Sequence, residues 1–108
     1  MSIPVPLSDV AGVIATAGQA FLVTVSDDGR AHVAGVVCQA GDEAITVSCG
    51  RRSAANAALR PAVTLLFPAP RPDGFVLLLD ATAVAHGDGA DATLALTPTS
   101  AVLHKPTR

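Results

Sequence analysis

The sequence comprises 108 residues, half of them hydrophobic, 3% aromatic and 15% charged, with a formal net charge of −2. This length predicts a single domain with one core, and the absence of Trp, Tyr and net positive charge argues against a nucleic-acid-binding surface. The longest apolar runs, residues 62–67 and 75–79, are too short to cross a bilayer, so no transmembrane helix is expected.

The N-terminal part of the chain predicts an extended segment followed by a short helix. Two prolines within residues 1–6 disfavour a helix there, so this stretch is expected to be an extended lead-in. From Leu7 to Ala15 apolar residues recur at helical spacing, with Ser8 placed as the N-cap and Gly18 as the stop. We therefore expect a short amphipathic helix that covers one end of the fold.

Two hairpin signals follow this helix. Residues 27–30 form a tight-turn sequence in which Gly29 is available for a positive φ, and residues 40–43 form a second turn. Gly35, inside the return strand, suggests a bulge or a place where a ligand or another backbone comes close. The first three strands are predicted at residues 20–26, 30–39 and 44–49.

The central stretch of the chain carries the best phosphate-binding signal in the sequence. A strand ends at Gly50, and Arg51 and Arg52 follow it. Ser53 then stands in the N-cap position of an Ala-rich helix that ends before Pro61. The free N–H groups of such a helix start attract an anion, and two guanidinium groups match the geometry of phosphate. The alternative interpretation is a solvent-exposed turn, followed by residues that commonly begin and end a helix and bind no ligand.

The C-terminal half predicts three more strands, with a Pro-rich loop at residues 68–74 and a turn at residues 86–91. Asp80 interrupts the apolar fifth strand. It is either a polar contact in a cleft or, as we prefer, a residue that a bend or bulge turns to solvent. Residues 97–108 are expected to form a polar tail. The last three strands are predicted at residues 62–67, 75–85 and 92–96.

Together these elements predict one mainly β (α+β) domain over residues 1–108. Six short strands with turns between them are typical of a small antiparallel barrel, here with a short N-terminal helix and a crossover helix after the third strand. Cys38 and Cys49 are out of register on the arms of one hairpin, so we expect buried thiols without a disulfide. No basic segment precedes Arg30, so no signal peptide is expected, and the expected location is the cytoplasm.

Several motifs occur in the order and spacing of a known family. Between residues 20 and 86 the sequence resembles the pyridoxamine 5′-phosphate oxidase-like split β-barrels, which are flavin- or deazaflavin-binding proteins. The motifs that carry this resemblance are residues 21–25 (FLVTV), 28–33 (DGRAHV), 45–47 (ITV), 52–56 (RSAAN) and 61–65 (PAVTL).

The resemblance implies a homodimer with a cofactor in each of two clefts at the subunit interface. A short, apolar chain poor in charge permits such a dimer on composition as well. By the same resemblance, Arg51 and Arg52 face the cofactor phosphate, aided by Ser53 at the helix start. Asn56 braces the start of that helix.

Further site residues follow from the resemblance. Ser48 falls near the end of the strand that lines the cleft, and the backbone of residues 34–37 corresponds to the strand beside the flavin ring. His32 is either a ring contact or a half-exposed strand residue. The cofactor-binding residues implied in this way are Ser48, Arg51, Arg52, Ser53, Asn56, His32, Ala34, Gly35 and Val36.

The chain also departs from the family pattern. Many members place a lysine where Ser53 stands, and the chain lacks the C-terminal substrate segment of the vitamin-pathway oxidases, so pyridoxamine phosphate is not the expected substrate. Its three histidines have no partner at ligand or triad spacing, so neither a metal site nor an acid–base set is expected.

The resulting hypothesis is an oxidoreductase that acts on an unknown small molecule with a flavin, FMN first, or with a deazaflavin. The first alternative is a non-catalytic carrier or sensor of a cofactor or of haem, or a dimer without a cofactor. The second is an unrelated barrel that serves as an interaction module.

Overall fold

A computed structural model of the chain describes residues 2–17, 19–69, 74–87 and 89–105. Most of these residues lie in strands, and two single 3-10 turns occur at Leu7–Asp9 and Gly89–Asp91. The strands are β1 (Ser2–Pro4), β2 (Gln19–Val25), β3 (Ala31–Ala40), β4 (Ile45–Ser48), β5 (Ala62–Phe67), β6 (Val76–His86) and β7 (Thr93–His104); the helices are α1 (Val10–Ala17) and α2 (Arg51–Leu59).

Six strands close into an antiparallel barrel in the order β7–β4–β3–β2–β5–β6, and β6 pairs with β7 to complete the ring. β1 lies outside the ring on the C-terminal end of β7, where Ser2 pairs with His104. The predicted six-stranded barrel is confirmed, and the predicted extended lead-in supplies the additional strand. The first five predicted strands match β2 to β6 to within one residue at either end. Gly29 has φ 83, as its turn requires.

Aliphatic side chains from alternate strand positions fill the barrel. Leu22, Leu65, Leu79, Leu94 and Leu96 are fully buried, because successive side chains of a strand point to opposite faces of the sheet. Burial of each such side chain contributes about 1.5–3 kcal/mol. This layer of leucines therefore provides much of the stabilisation in a chain with few aromatic residues.

The barrel is split along β3. Residues 31–37 of β3 pair with β2, whereas only residues 38–40 pair with β4. β4 ends at Ser48, where the chain turns into α2 instead of continuing beside β3. Over residues 31–37, the edge of β3 that faces away from β2 therefore has no strand partner among the described residues.

α1 begins later than the sequence predicts. A 3-10 turn preceded by Pro6 leads into α1, which starts at Val10, so Ser8 lies inside that turn and is not the N-cap of the helix. Pro6 has an extended backbone conformation, and the 3-10 turn begins at the next residue. Val10 and Ile14 are buried one helical turn apart. The expected stop, Gly18, lies outside the described residues. Neither helix in the described ranges is long and apolar enough to cross a membrane.

α2 begins earlier than the sequence predicts. Gly50 is its N-cap, with φ −80 and ψ 176, and the Gly50 carbonyl accepts a hydrogen bond from the Ala54 N–H at 3.1 Å. Ser53 is therefore the third residue of the helix, 1% exposed, and the predicted N-cap is wrong. The two arginines before Ser53 are good helix formers, which favours the earlier start. The helix does end before Pro61, with Arg60 extended, as predicted.

The last strand is longer than predicted. β7 continues to residue 104, so the tail expected over residues 97–108 is strand for most of its length, and residues 106–108 lie outside the described residues. Polar residues occupy outward positions of this strand, while Leu94, Leu96 and Ala101 face the core. Residues 97–100 show no apolar alternation that would predict a strand, because none of them is buried.

A bulge lies where β6 and β7 pass Asp80. Between the pairs Ala81–Pro98 and Asp80–Ser100, β7 holds one extra residue, which allows a proline within the sheet. Asp80 is exposed, as the preferred interpretation of the sequence predicted. Its carboxylate accepts hydrogen bonds from the Thr64 hydroxyl at 2.7 Å and the Ser100 hydroxyl at 3.3 Å. These donors lie opposite Asp80 on the neighbouring strands, so the carboxylate belongs to a cross-strand polar row.

Candidate functional site

The split in the barrel opens a cleft between β3 and the start of α2, which we call the β3–α2 cleft. Its volume is about 510 Å³, within the range of small-molecule sites. The unpartnered edge of β3 forms one side, and the segment from the end of β4 to the first residue of α2 forms the other. The cleft brings together five of the nine predicted site residues. The lining residues are Ala34, Gly35, Val36, Ser48, Cys49, Gly50, Arg51 and Ala90.

Small residues keep the backbone of this cleft accessible. A Cβ added at Gly50 would meet no atom within 4 Å, and one added at Gly35 would meet only the ring of Phe21, at 3.9 Å. Phe21 and Gly35 pair in regular register, so the bulge considered for Gly35 is wrong and its close neighbour is an aromatic side chain. Because no large side chain rises from these positions, a planar ligand can approach the β3 backbone.

Arg51 alone is charged among the described residues that line the β3–α2 cleft. Its guanidinium Nη2 lies 3.7 Å from the position that a Cβ would take at Gly89, where φ is +64. Gly89 begins the 3-10 turn between β6 and β7, so this turn forms a wall against which the arginine packs. The turn is distant in sequence from β3 and α2, and for that reason no local motif predicts its part in the site.

Arg52 lines a second cavity, also of about 510 Å³, which we call the turn cavity because it lies at the β2–β3 turn. The predicted phosphate-binding pair is therefore divided between two cavities, and His32 and Asn56 accompany Arg52. The residues that line the turn cavity are Ser26, Asp27, Asp28, Arg30, Ala31, His32, Arg52 and Asn56.

The turn cavity contains carboxylates as well as cations. Asp28 accepts hydrogen bonds from the Ser26 hydroxyl and, at 3.2 Å, from the Arg30 N–H. These bonds, with a smaller contribution from the charge of Arg52, lower the pKa of Asp28. The ionised carboxylate offsets part of the positive charge of Arg52. The β3–α2 cleft, as far as the structure describes its lining, includes no carboxylate, so Arg51 is the better partner for an anion.

Asn56 braces α2 against the barrel. Its Nδ2 donates a hydrogen bond to Thr24 Oγ1 at 3.1 Å, and both side chains are buried. The bond fixes the middle of α2 to β2, whereas the resemblance implied that Asn56 braces the start of the helix. Ser53 is buried and lines neither cavity. A direct contact between Ser53 and a ligand therefore has no support in the geometry.

Cys49 lines the β3–α2 cleft, although the sequence predicts for it only burial. Its thiol donates weakly to the Ala92 carbonyl at 3.7 Å. Burial raises the pKa of Cys49, and it raises the pKa of Cys38 to about 11. Both thiols are free and buried, as predicted. They stay protonated at neutral pH, so neither is an effective nucleophile.

Metal-ligating side chains do not gather in the part of the chain that the structure describes. Across the described ranges, no group of three or more His, Cys, Asp or Glu residues is arranged to hold a metal ion. The described lining of the β3–α2 cleft likewise contains no His, Asp or Glu. What the cleft offers a ligand is a backbone edge, one hydroxyl group, one thiol and one guanidinium group.

No family model and no curated protein matches the sequence. The structure, in contrast, is similar to several solved structures. A candidate pyridoxamine 5′-phosphate oxidase from Listeria innocua has a TM-score of 0.73 at 11% identity, over 89% of this chain and 95% of that one. An FMN-binding protein from Syntrophomonas wolfei subsp. wolfei has a TM-score of 0.73 at 12% identity, over 94% of this chain and 88% of that one.

A third similar structure is HutZ, the haem storage protein from Vibrio cholerae, with a TM-score of 0.71 at 16% identity, over 92% of this chain and 94% of that one. Other similar structures include an F420 reductase and FAD-binding proteins. The chain thus has the split β-barrel fold of the pyridoxamine 5′-phosphate oxidase-like proteins, and the resemblance found in the sequence is confirmed at the level of the fold.

Proposed function

We propose that the chain binds a flavin-type cofactor, FMN in the first place, in the β3–α2 cleft. We further propose that it is an oxidoreductase that acts on an unknown small molecule. The proposal is supported by similar structures that are named for FMN, FAD, F420 or haem. Free, buried thiols suit a reducing compartment, so we propose a cytoplasmic location.

One observation carries this proposal: an unpartnered strand edge faces a positively charged helix start across a cleft of suitable size. The backbone of residues 34–36 presents polar groups that no neighbouring strand uses. Opposite them, Arg51 is the first residue of α2, where free N–H groups and the helix dipole favour an anion. A ligand with a planar polar ring and a phosphate meets both features.

The residues of the cleft fit a flavin-type cofactor with a phosphate group, and each would make a particular contact with it. Arg51 would hold the phosphate, and the turn that contains Gly89 would keep the guanidinium in place. The Ser48 hydroxyl and the β3 edge would orient the ring by hydrogen bonds. A bound flavin would supply the hydride chemistry, and the described residues of the cleft would bind and orient it.

We propose a homodimer whose interface is the outer face of the sheet formed by β2, β3, β5, β6 and β7. Phe21 and Val37 are 39% and 65% exposed on this face. Cross-strand pairing continues it from Phe21 through Leu66 and Leu78 to Val102. An apolar surface that spans five strands favours a second copy of the chain. β3 carries both this face and one wall of the cleft, so the partner would border the cofactor.

A non-catalytic carrier is the second candidate function. The observation that favours it is the absence of any His, Asp or Glu among the described residues that line the cleft. The similarity to the haem storage protein HutZ points in the same direction. A carrier would hold its cofactor, or haem, without turnover.

The test is to incubate the purified protein with FMN, pass it through a gel-filtration column and record the visible spectrum of the eluted protein. We expect oxidised flavin to elute with the protein at the volume of a dimer. Parallel incubations with a deazaflavin and with haem identify the preferred cofactor. Elution without any of the three would contradict cofactor binding. Retained flavin that reduced nicotinamide or deazaflavin does not reduce would favour the carrier.

A further inference from the structure

A third cavity, of about 340 Å³, lies between α1, the β3–β4 turn and the middle of β7, and we call it the α1 cavity. It shares no lining residue with the β3–α2 cleft or the turn cavity. Val10, Ile14 and Ile45 contribute to its lining, and all three are buried members of the hydrophobic core. An apolar cavity of this size matches the smaller ligand sites of proteins.

The β7 bulge forms one wall of the α1 cavity. Pro98 lines the cavity directly beside the extra residue of β7. A bulge bends its strand, and bulges are frequent next to binding sites. Leu7 also lines the cavity and is 44% exposed, so an apolar side chain remains partly in water. A bound apolar group would cover that side chain.

The rim of the α1 cavity is acidic. Asp42 and Glu43, in the β3–β4 turn, line the cavity and are exposed. No described residue that lines the cavity is basic, so these carboxylates have no cation beside them in the lining. An apolar interior with an acidic rim is complementary to a molecule with an apolar body and one positive charge.

We propose that the α1 cavity binds a small monoamine, with the ammonium group at Asp42 and Glu43. The apolar body would lie against Leu7, Ala11 and Pro98, which line the cavity and are not buried. This site goes beyond the proposed function, because it uses neither the cofactor nor Arg51. A ligand of roughly nine to fifteen non-hydrogen atoms would have a dissociation constant from about 0.1 mM to about 10 mM. The site would let an amine bind while the β3–α2 cleft is occupied.

The test is an NMR titration of the ¹⁵N-labelled full chain with three probes that share one body and differ in charge. The probes are 2-phenylethylamine, 2-phenylethanol and 3-phenylpropionate. We expect the amine to shift the amide signals of Ala11, Gly41 and Asp42 and to bind about two- to fivefold more tightly than the alcohol. The acid should bind more weakly than either. Added salt should weaken the binding of the amine but not that of the alcohol, since the carboxylates are exposed to solvent and salt screens their charge.

Two variants and a matched control make the test specific. The double variant Asp42→Asn with Glu43→Gln should weaken binding of the amine about two- to fivefold and leave binding of the alcohol unchanged. The control Asp27→Asn with Asp91→Asn removes two exposed carboxylates outside the cavity lining and should change neither affinity. Ala11→Leu, at an exposed helical position in the lining, should reduce binding of both probes by filling the cavity.

Three outcomes would overturn the proposal. The first is the absence of amide shifts in the cavity up to about 10 mM amine. The second is equal affinity for amine and alcohol, which would describe an apolar cavity without a preference for cations. The third is unchanged amine affinity in the double carboxylate variant. That variant lies in an exposed turn, so it keeps the proposal testable even where Ala11→Leu fails to fold.

Discussion

Asn56 donates a hydrogen bond from Nδ2 to Thr24 Oγ1 at 3.1 Å, across the boundary between α2 and β2. Both residues are buried. Because buried polar groups need a partner, this bond restricts how α2 can rotate about its own axis. The bond therefore fixes the orientation of α2 relative to β2. Since Arg51 is the first residue of α2, the same bond influences where its side chain lies in the β3–α2 cleft.

We expect Asn56→Leu to lower the free energy of unfolding by about 1–3 kcal/mol, because the buried Thr24 hydroxyl loses its partner. Thr24→Val should have a comparable effect for the reciprocal reason. The double variant should lose less than the sum of the two, since neither buried group is then left unpaired. Urea denaturation followed by circular dichroism measures all three, with the exposed Ala55→Ser as a control that changes stability by less than about 0.5 kcal/mol. If the losses of unfolding free energy in the two single variants add up exactly to that of the double variant, Asn56 and Thr24 are not coupled.

The two adjacent arginines should differ in their effect on cofactor retention. Arg51→Ala removes the charge that lines the β3–α2 cleft, so we expect FMN affinity to fall at least about tenfold, as loss of a charge-assisted hydrogen bond predicts. Arg52→Ala should reduce the affinity for FMN less than Arg51→Ala does, because Arg52 lines the turn cavity. Flavin fluorescence titrations give the dissociation constants.

Arg60→Ala is the matched control for this series, because Arg60 caps the other end of the same helix. It should leave FMN affinity unchanged. A larger loss for Arg52→Ala than for Arg51→Ala would mean that the phosphate binds in the turn cavity, and our assignment of the cleft would be wrong.

A charge on the outer sheet face should break the proposed dimer. Val37→Lys places an ammonium group on a 65% exposed apolar position of that face, where burial against a second copy would be costly. We expect sedimentation velocity to show a monomer for this variant. Val84→Lys is the control, because Val84 is 56% exposed on β6 but lies six residues beyond Leu78, outside the apolar row from Phe21 to Val102 that we assign to the interface. A dimer that survives Val37→Lys and dissociates with Val84→Lys would place the interface elsewhere.

Stability should fall at alkaline pH because of Cys38. Burial raises the pKa of its thiol from 9.0 to about 11 in the folded chain. The unfolded chain therefore loses this proton first, and the free energy of unfolding decreases as the pH rises from about 9 to about 11. A shift of about two pKa units corresponds to at most about 3 kcal/mol, and to less where solvent screens the thiolate. The raised pKa of Cys49 acts in the same direction.

Urea denaturation at a series of pH values from 8 to 11 measures this effect. The sequence has no tyrosine and a single lysine, so few other groups titrate in this range. Cys38→Ala should flatten the pH dependence, whatever its effect on stability at pH 8. An equally steep decrease in that variant would assign the effect to another group.

Much of the fold follows from local pattern. Alternating apolar residues and turn signals predict β2 to β6 closely, because a half-buried strand must alternate along its own length. The errors occur at the start of a helix and where a nonlocal strand partner decides. Ser53 is a good N-cap by type, but it is buried within α2, and Gly50 takes the cap position. Residues 97–104 have the composition of a tail, yet β6 provides the strand on which they pair.

The candidate site divides in the same way. Ala34, Gly35, Val36, Ser48 and Arg51 could be predicted from the sequence and do lie together. The sequence alone determined the residue types that suit an anion, because these follow from side-chain chemistry and helix ends, whereas the residues beside a planar ring were implied by the family resemblance. Only the tertiary structure decided which of them share a cavity: Arg51 and Arg52 are neighbours in the chain but line different cavities. The physical reason is that packing brings together the elements that bound a cavity, here β3, α2 and the turn between β6 and β7. These elements are distant in sequence, so no local pattern predicts their contact.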